Sequence, residues 1–383
     1  MHILFAASTF PHPGYPFSAF IKVICEEMVR QGHEVTVIAP QSISSILLKG
    51  TRKIPVETYY ETKTDGGKKV IRILRPYSIT FRFTFLSRMT WWSKQCAFSR
   101  IVTNKGLSFD IIYAHFWSNA YNALPTAMKT GKPLFVASGE DKIVVQEVLS
   151  KKTIRELFDT VRGVVCVSNK NKKESMKAGL TTESKCIVLP NAINPNLFYK
   201  KDKNECRKVL GFPQEVFIIA YCGRFNKRKG VDRVSAAINL LDNSHIMSIF
   251  IGSGTGSEIV QPNCEGILFH GSLEQKEIVD YLNSADVFVL PSLAEGCSNS
   301  IVEAMACGLP IISSSLPFND DICDESNSIL VDPMNIEAIA GAIEKMTDVI
   351  LRKHLSEGAL KTAAGLKISD RIAKILDFIN ENR

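Results

Sequence analysis

The chain has 383 residues, 45% of them hydrophobic and 22% charged, with a net charge of +7. That is the make-up of an ordinary folded protein with room for two or three domains, and it excludes a disordered or fibrous chain. Ten cysteines include no Cys-x-x-Cys pair and no Cys/His cluster at ligand spacing, so reduced thiols are expected rather than a zinc site or a disulfide framework. Residues 1–8 lack a basic n-region and a long enough apolar run for a secretory leader. No stretch approaches the roughly 18 apolar residues that span a bilayer. A cytoplasmic protein, at most peripheral at the inner face of the membrane, is the expectation.

Apolar runs alternate with helical patterns from the start. Residues 2–7 and 34–39 read as buried parallel strands. Between them Phe17, Phe20, Ile21, Ile24 and Met28 recur at helical spacing until Gly32 stops the helix. Residues 66–109 contain no acid but nine cations: Lys68, Lys69, Arg72, Arg75, Arg82, Arg88, Lys94, Arg100 and Lys105. Phe81, Phe83, Phe85, Trp91, Trp92 and Phe98 lie among them. Such a stretch suits an anionic lipid surface or nucleic acid. It also reads as core aromatics beneath a solvated cationic face. Runs at 110–116, 133–138, 163–168 and 185–189 continue the βα repetition and predict an open parallel sheet. The strand ending Tyr113-Ala-His115-Phe-Trp117 leaves His115 at a carboxyl end, where ligands of open α/β sheets bind.

The polar stretch 191–204 marks an interdomain linker, and the pattern then restarts. Strands are expected at 216–222, 247–252, 267–270, 286–290, 310–314 and 328–331, with helices at 231–241 and 275–282. After the first of these strands, Gly223-Arg-Phe-Asn-Lys-Arg-Lys-Gly230 opens a helix. Arg224 can grip a phosphate as a bidentate fork, and Lys229 adds a point charge. After the strand at 286–290 comes Pro291-Ser-Leu-Ala-Glu-Gly-Cys-Ser-Asn-Ser-Ile-Val-Glu303. Glu295 falls in the loop, Ser298 or Asn299 can cap a short helix, and Glu303 lies about one turn inside it. Two carboxylates thus flank free backbone N–H groups at the positive end of a helix dipole. A nucleotide sugar fits that receptor, anionic in the middle with vicinal hydroxyls at both ends. Taken alone, Glu303 also reads as a solvated surface residue.

The stretch from Glu295 to Glu303 resembles the Glu-x7-Glu signature of retaining glycosyltransferases of the GT-B fold, family 4 (glycosyl transferases group 1). The likeness runs along essentially the whole chain and is strongest over 216–315. It implies an α/β fold of two Rossmann-like domains facing across a cleft. Residues 1–195 would form the acceptor-side domain, 196–366 the nucleotide-sugar-binding domain, and 367–383 a final helix crossing back to the first. It further implies a metal-independent, retaining hexosyltransferase for cell-surface polysaccharide or glycolipid synthesis. The nucleotide diphosphate sugar would be a co-substrate, no cofactor would be needed, and the acceptor would be a saccharide or lipid-linked. His115, Glu295, Arg224 and Lys229 become the catalytic candidates. Gly14, Arg224, Lys229, Glu295, Gly296, Cys297, Ser298 and Glu303 become the donor-binding set. By the same resemblance, His115 would hold the donor sugar's hydroxyls, and the backbone at Gly14 would approach the donor phosphate.

The chain departs from the family pattern at the single Gly14, where Tyr15 and Pro16 would reshape the acceptor side, and at Cys297-Ser298, at Pro190-Asn-Ala192 and over 316–322, which bears on donor-sugar preference. Arg224, Lys229 and helix N-termini can neutralise a leaving diphosphate without a metal. An epimerase on the same fold would need paired carboxylates beside His115, and the sequence offers none. A nucleic-acid-binding protein would spread its cations along both halves, whereas they concentrate in 66–109, so no nucleic-acid partner is expected.

Overall fold

The computed structural model describes residues 1–12, 19–64, 66–81, 86–254 and 259–383. Gly14, and Arg82, Phe83 and Phe85 of the basic stretch, lie outside the described residues. The chain forms two units: Met1–Leu189 together with Ser369–Arg383, and Pro190–Ile368. The division falls ahead of the boundary at 195/196 read from the sequence, because the intervening residues bond to the second unit. Asn191 Nδ2 donates to the Cys297 carbonyl at 2.9 Å, and Ile193 bridges to Lys367.

In the first unit eight strands form one sheet. Their spatial order is Cys186–Val188, Val161–Cys166, Leu134–Ser138, Ile111–His115, His2–Ala6, Glu34–Ile38, Gly67–Leu74 and Glu57–Thr64. Only the last two pair antiparallel. The central strands carry apolar side chains on both faces: Ile3, Leu4, Phe5, Ile111, Ile112, Tyr113 and Ala114 are fully buried. That is why they read as continuous apolar runs. The helix Ile368–Asn382 belongs to this unit. Gly163 makes room for it, since a Cβ there would lie 2.6 Å from the Phe378 ring.

The second unit holds six parallel strands in the order Ile267–Gly271, Ile246–Ile251, Phe217–Cys222, Val287–Leu290, Ile311–Ser314 and Ser328–Val331. Both sheets have a point where the strand order reverses. In the first it lies between His2–Ala6 and Ile111–His115; in the second, between Phe217–Cys222 and Val287–Leu290. Loops leaving the carboxyl ends of such a pair diverge to opposite faces and open a crevice. His115 ends one of these four strands. The loops carrying Arg224, Lys229 and Glu295 follow two others.

Candidate active site

In the second unit the two loops at the switch point are stitched together. The turn at 226–230 closes on Asn226, whose Oδ1 accepts from the Lys229 N–H at 3.0 Å. Arg233 donates to the carbonyls of Lys227 (2.7 Å) and Pro291 (2.8 Å), and the Leu293 N–H donates to the Arg228 carbonyl at 2.8 Å. Gly230 has φ 77°, and a Cβ there would sit 2.8 Å from the Pro291 carbonyl oxygen, so only glycine lets the loops approach. Glu295 is consequently buried, 5% exposed. Lys229 Nζ bonds to one of its oxygens, and Arg228 lies 3.9 Å from the other. The Arg224 carbonyl accepts from the Tyr221 hydroxyl at 2.9 Å. Its side chain is exposed and in no ion pair among the described residues.

The helix Asn299–Ala306 opens immediately beyond Gly296 and the buried Cys297. Ser298 takes the cap position, as the sequence suggested, but its hydroxyl lies 3.1 Å from that of Ser300 and makes no cap bond. The first-turn N–H groups are therefore left without the usual side-chain acceptor. Glu303 is not a solvated surface residue. Burial pushes its carboxyl up to about 7, with a hydrogen bond from Gln275 acting the other way. The neighbouring Cys222 thiol is pushed up to about 12, first by burial and then by the Glu303 charge. Glu303 thus stands at the carboxyl end of Phe217–Cys222. The structure brings Lys229, Glu295 and Arg228 into contact and sets Glu303 beside the same strand end.

His115 occupies the corresponding place in the first unit. It is 7% exposed, packed among the rings of Phe116, Phe20 and Phe5 at centroid distances of 4.1, 5.1 and 6.4 Å. Burial, and then the Arg371 charge, pull its pKa down to about 3. The ring is therefore neutral near pH 7, able to donate and to accept. The next residue, Phe116, has φ 80° and ψ 153°, a region that is essentially glycine-only and costs about 1–3 kcal/mol.

Sequence reasoning missed Arg228, Glu140 and the pair Gly252 and Gly254. A Cβ on Gly252 would overlap the Gly223 carbonyl, 1.9 Å away, and one on Gly254 would lie 2.8 Å from that of Phe225. The signal for the glycines was the Gly-x-Gly at the end of an apolar run. Glu140 accepts the Trp117 N–H at 2.6 Å, and nothing local in the sequence pointed to it.

The basic stretch is not one cationic face. Lys68 pairs with Glu61, and Arg72 and Lys105 both pair with Glu57, each at 2.8 Å. Arg75 is 4% exposed and bonds Thr58. Of the aromatics, Phe98 is buried and Trp91 packs against the core, while Trp92 is 60% exposed. The cross-strand hairpin Glu57–Leu74 supplies the acids that the linear segment lacks.

Residues 18–197 match the sequence model of Glycosyltransferase Family 4, and residues 216–348 match that of Glycosyl transferases group 1. The chain belongs to the group 1 glycosyltransferases. TuaC of Bacillus subtilis, a glycosyltransferase assigned by name to teichuronic acid biosynthesis, is 27% identical over 362 residues, covering 90% of this chain and 89% of that protein. The Escherichia coli UDP-Gal:alpha-D-GlcNAc-diphosphoundecaprenol alpha-1,3-galactosyltransferase is 28% identical over 231 residues, 56% of this chain and 59% of that one. Anabaena HepE, solved with UDP and glucose, has a TM-score of 0.72 at 18% identity and covers both chains completely. That likeness shows the GT-B fold for this glycosyltransferase. Among the described residues, no helix is long and apolar enough to cross a membrane.

Proposed function

We propose that this glycosyltransferase transfers a hexose-type sugar from a UDP-sugar, with retention and without a metal, to a saccharide or lipid-linked acceptor in cell-surface polysaccharide or glycolipid synthesis. The single observation that carries the reading is the pairing of buried Glu295 with Lys229 and Arg228 beside an uncapped helix N-terminus. In the free protein the Lys229 ammonium neutralises Glu295. When donor binds, the diphosphate competes for that ammonium, and Glu295 is freed to accept from the sugar hydroxyls. Arg224, exposed and in no ion pair among the described residues, closes on the phosphates as a bidentate fork. The first-turn N–H groups of Asn299–Ala306 take the remaining phosphate charge. Glu303 accepts from the ribose hydroxyls. His115, neutral, donates to a hydroxyl of the donor sugar. Charge building on the leaving UDP thus meets fixed cations and N–H dipoles, the role a metal fills elsewhere.

The choice of UDP draws on the E. coli relative's name and on the ligands of HepE. Incubation with UDP- and GDP-sugars, following nucleoside diphosphate release, tests it. Slow hydrolysis of a UDP-hexose, unaffected by EDTA, is expected. Release from GDP-sugars alone, or loss of activity in chelator, would overturn the donor or the metal-free assignment respectively.

A second reading concerns where the acceptor is met. Leu47 and Leu48 are 75% and 78% exposed, and Ile43, Tyr77, Ile79, Met89 and Trp92 are also exposed. Ser44 Oγ bonds the Thr80 carbonyl at 2.7 Å, and the Ile79 N–H bonds Ser93 Oγ at 2.8 Å, which holds the three segments as one face. Exposed Arg88 adjoins Met89, and Lys53 lies over the Tyr77 ring. An apolar patch with a cationic rim suits the surface of an anionic membrane, where lipid-linked acceptors reside.

A further inference from the structure

His115 carries no hydrogen bond on its ring among the described residues. Packing and the backbone that follows it must therefore set its aim. That backbone is unusual. Phe116 holds a glycine-like conformation, its N–H donates to Ala137 at 2.8 Å, and its carbonyl accepts from Asn119 and Ala120. The helix Trp117–Thr130 starts at the next residue.

Glu140 holds that start. One carboxylate oxygen accepts the Trp117 N–H at 2.6 Å; the other accepts the Gly139 N–H at 3.0 Å and the Ser138 hydroxyl at 3.1 Å. Trp117 is gripped a second time, its indole Nε1 donating to Ser175 Oγ at 3.1 Å, and Ser175 lies 3.2 Å from Ser138 Oγ. The four residues close a ring. On its far side, Asn171 Nδ2 donates to the Glu140 carbonyl at 2.9 Å. A fully satisfied polar network of this kind has one geometry.

We infer that Glu140 is a positioning residue for His115: its carboxylate clamps the first N–H of the helix Trp117–Thr130 and so holds the strained Phe116 turn that aims the ring at the donor sugar. The inference rests on the assignment of His115 above. Glu140→Gln places an amide group against a backbone N–H on one side of the network, whichever way it turns. The ring is then free to move. Misplacement of a reacting group by about 1 Å costs up to about 100-fold in rate.

The test measures UDP-glucose hydrolysis for Glu140→Gln, His115→Ala and the double variant, and records long-range 1H–15N spectra of the histidine rings. Glu140→Gln is expected to lower kcat about 10- to 100-fold with KM changed less than about threefold. The double variant should be no worse than His115→Ala alone, because two residues acting as one unit are not additive. The His115 ring signals should move while those of His245 and His354 stay. Ser138→Ala, which removes one of three donors, should give the same changes at smaller size and serves if Glu140→Gln does not fold. Additive losses, or an unmoved His115 signal, would overturn the inference alone. Full activity in His115→Ala would overturn the His115 assignment and this inference with it. Should UDP-glucose not be turned over, the ring spectra decide.

Discussion

Glu295 and Glu303 are the same residue type eight positions apart, and their surroundings give them different work. Glu295 faces two cations and is neutralised by them. Glu303 is half-buried and in no ion pair among the described residues, so desolvation pushes its carboxyl up to about 7. Removing a hydrogen bond to a charged acceptor costs roughly 1.5–3 kcal/mol. Glu295→Ala is therefore expected to lose mainly kcat, about 10- to 100-fold, and steady-state kinetics with a UDP-hexose would reveal it; unchanged kcat at saturating donor would sink the role. Arg224→Lys should fail to restore wild-type kcat/KM, since an ammonium cannot form the bidentate fork.

Glu303 also sets a pH dependence. Its folded pKa is raised above the ordinary 4.5, so its protonated form is the one the fold favours. Its contribution to stability is therefore full below about 4.5, falls as pH rises toward 7, and is gone above. In the proposed donor complex the dependence runs the other way, because it is the ionised carboxylate that would accept from the ribose hydroxyls. The Kd for UDP-glucose should rise up to about tenfold from pH 8 to pH 6, and calorimetry on Glu303→Gln should show a flat profile. A wild-type Kd equal at both pH values would refute the assignment. Cys222, pushed up to about 12, does not titrate in this window.

Among the elements, the buried parallel strands were the most legible, because side chains buried on both faces leave an unbroken apolar run. The hairpin Glu57–Leu74 was not. Lys68 and Arg72 pair with acids on the neighbouring strand, and Lys105, at the end of the helix Ser87–Asn104, reaches Glu57 from far along the chain, so all three looked free in the sequence. The surface proposed to meet a membrane is accordingly not the whole stretch 68–105 but the exposed apolar face made by Ile43–Lys49, the segment at 77–80 and the start of Ser87–Asn104. Co-sedimentation with vesicles checks it. Binding should rise with anionic lipid and fall with salt, each surface cation contributing about 1 kcal/mol. Leu47→Ser with Leu48→Ser, or Trp92→Ala with Arg88→Ala, should weaken it. Equal binding to neutral vesicles would leave the cations without a role.

At the scale of the molecule, distant segments are tied together by polar residues that no local pattern marks. Asp286 and Arg207, both nearly inaccessible, form an ion pair at 2.6 Å. Arg207 also donates to the carbonyls of Ser284, Gln214 and Val216, and Asp286 accepts the Ile218 N–H. They anchor the beginnings of two neighbouring strands. Asp286→Ala would leave a buried guanidinium uncompensated and should cost about 3–5 kcal/mol, seen as a lower urea midpoint; a midpoint within error of wild type would contradict the anchoring role.

The sequence by itself determined the α/β class, the two-part layout, the place of His115 at the end of a strand and those of Arg224, Lys229, Glu295 and Glu303 beyond strand ends. Periodicity and turn residues are local signals, and these features are local. Only the tertiary structure decided which strands are neighbours, and hence that the Arg224 and Glu295 loops leave one switch point. It alone set Lys229 and Arg228 on Glu295, raised Glu303, lowered His115 and clamped Trp117 with Glu140. Each of those depends on burial or on a partner far away in the chain, and desolvation and long-range contact are properties of the folded arrangement that a linear pattern does not carry.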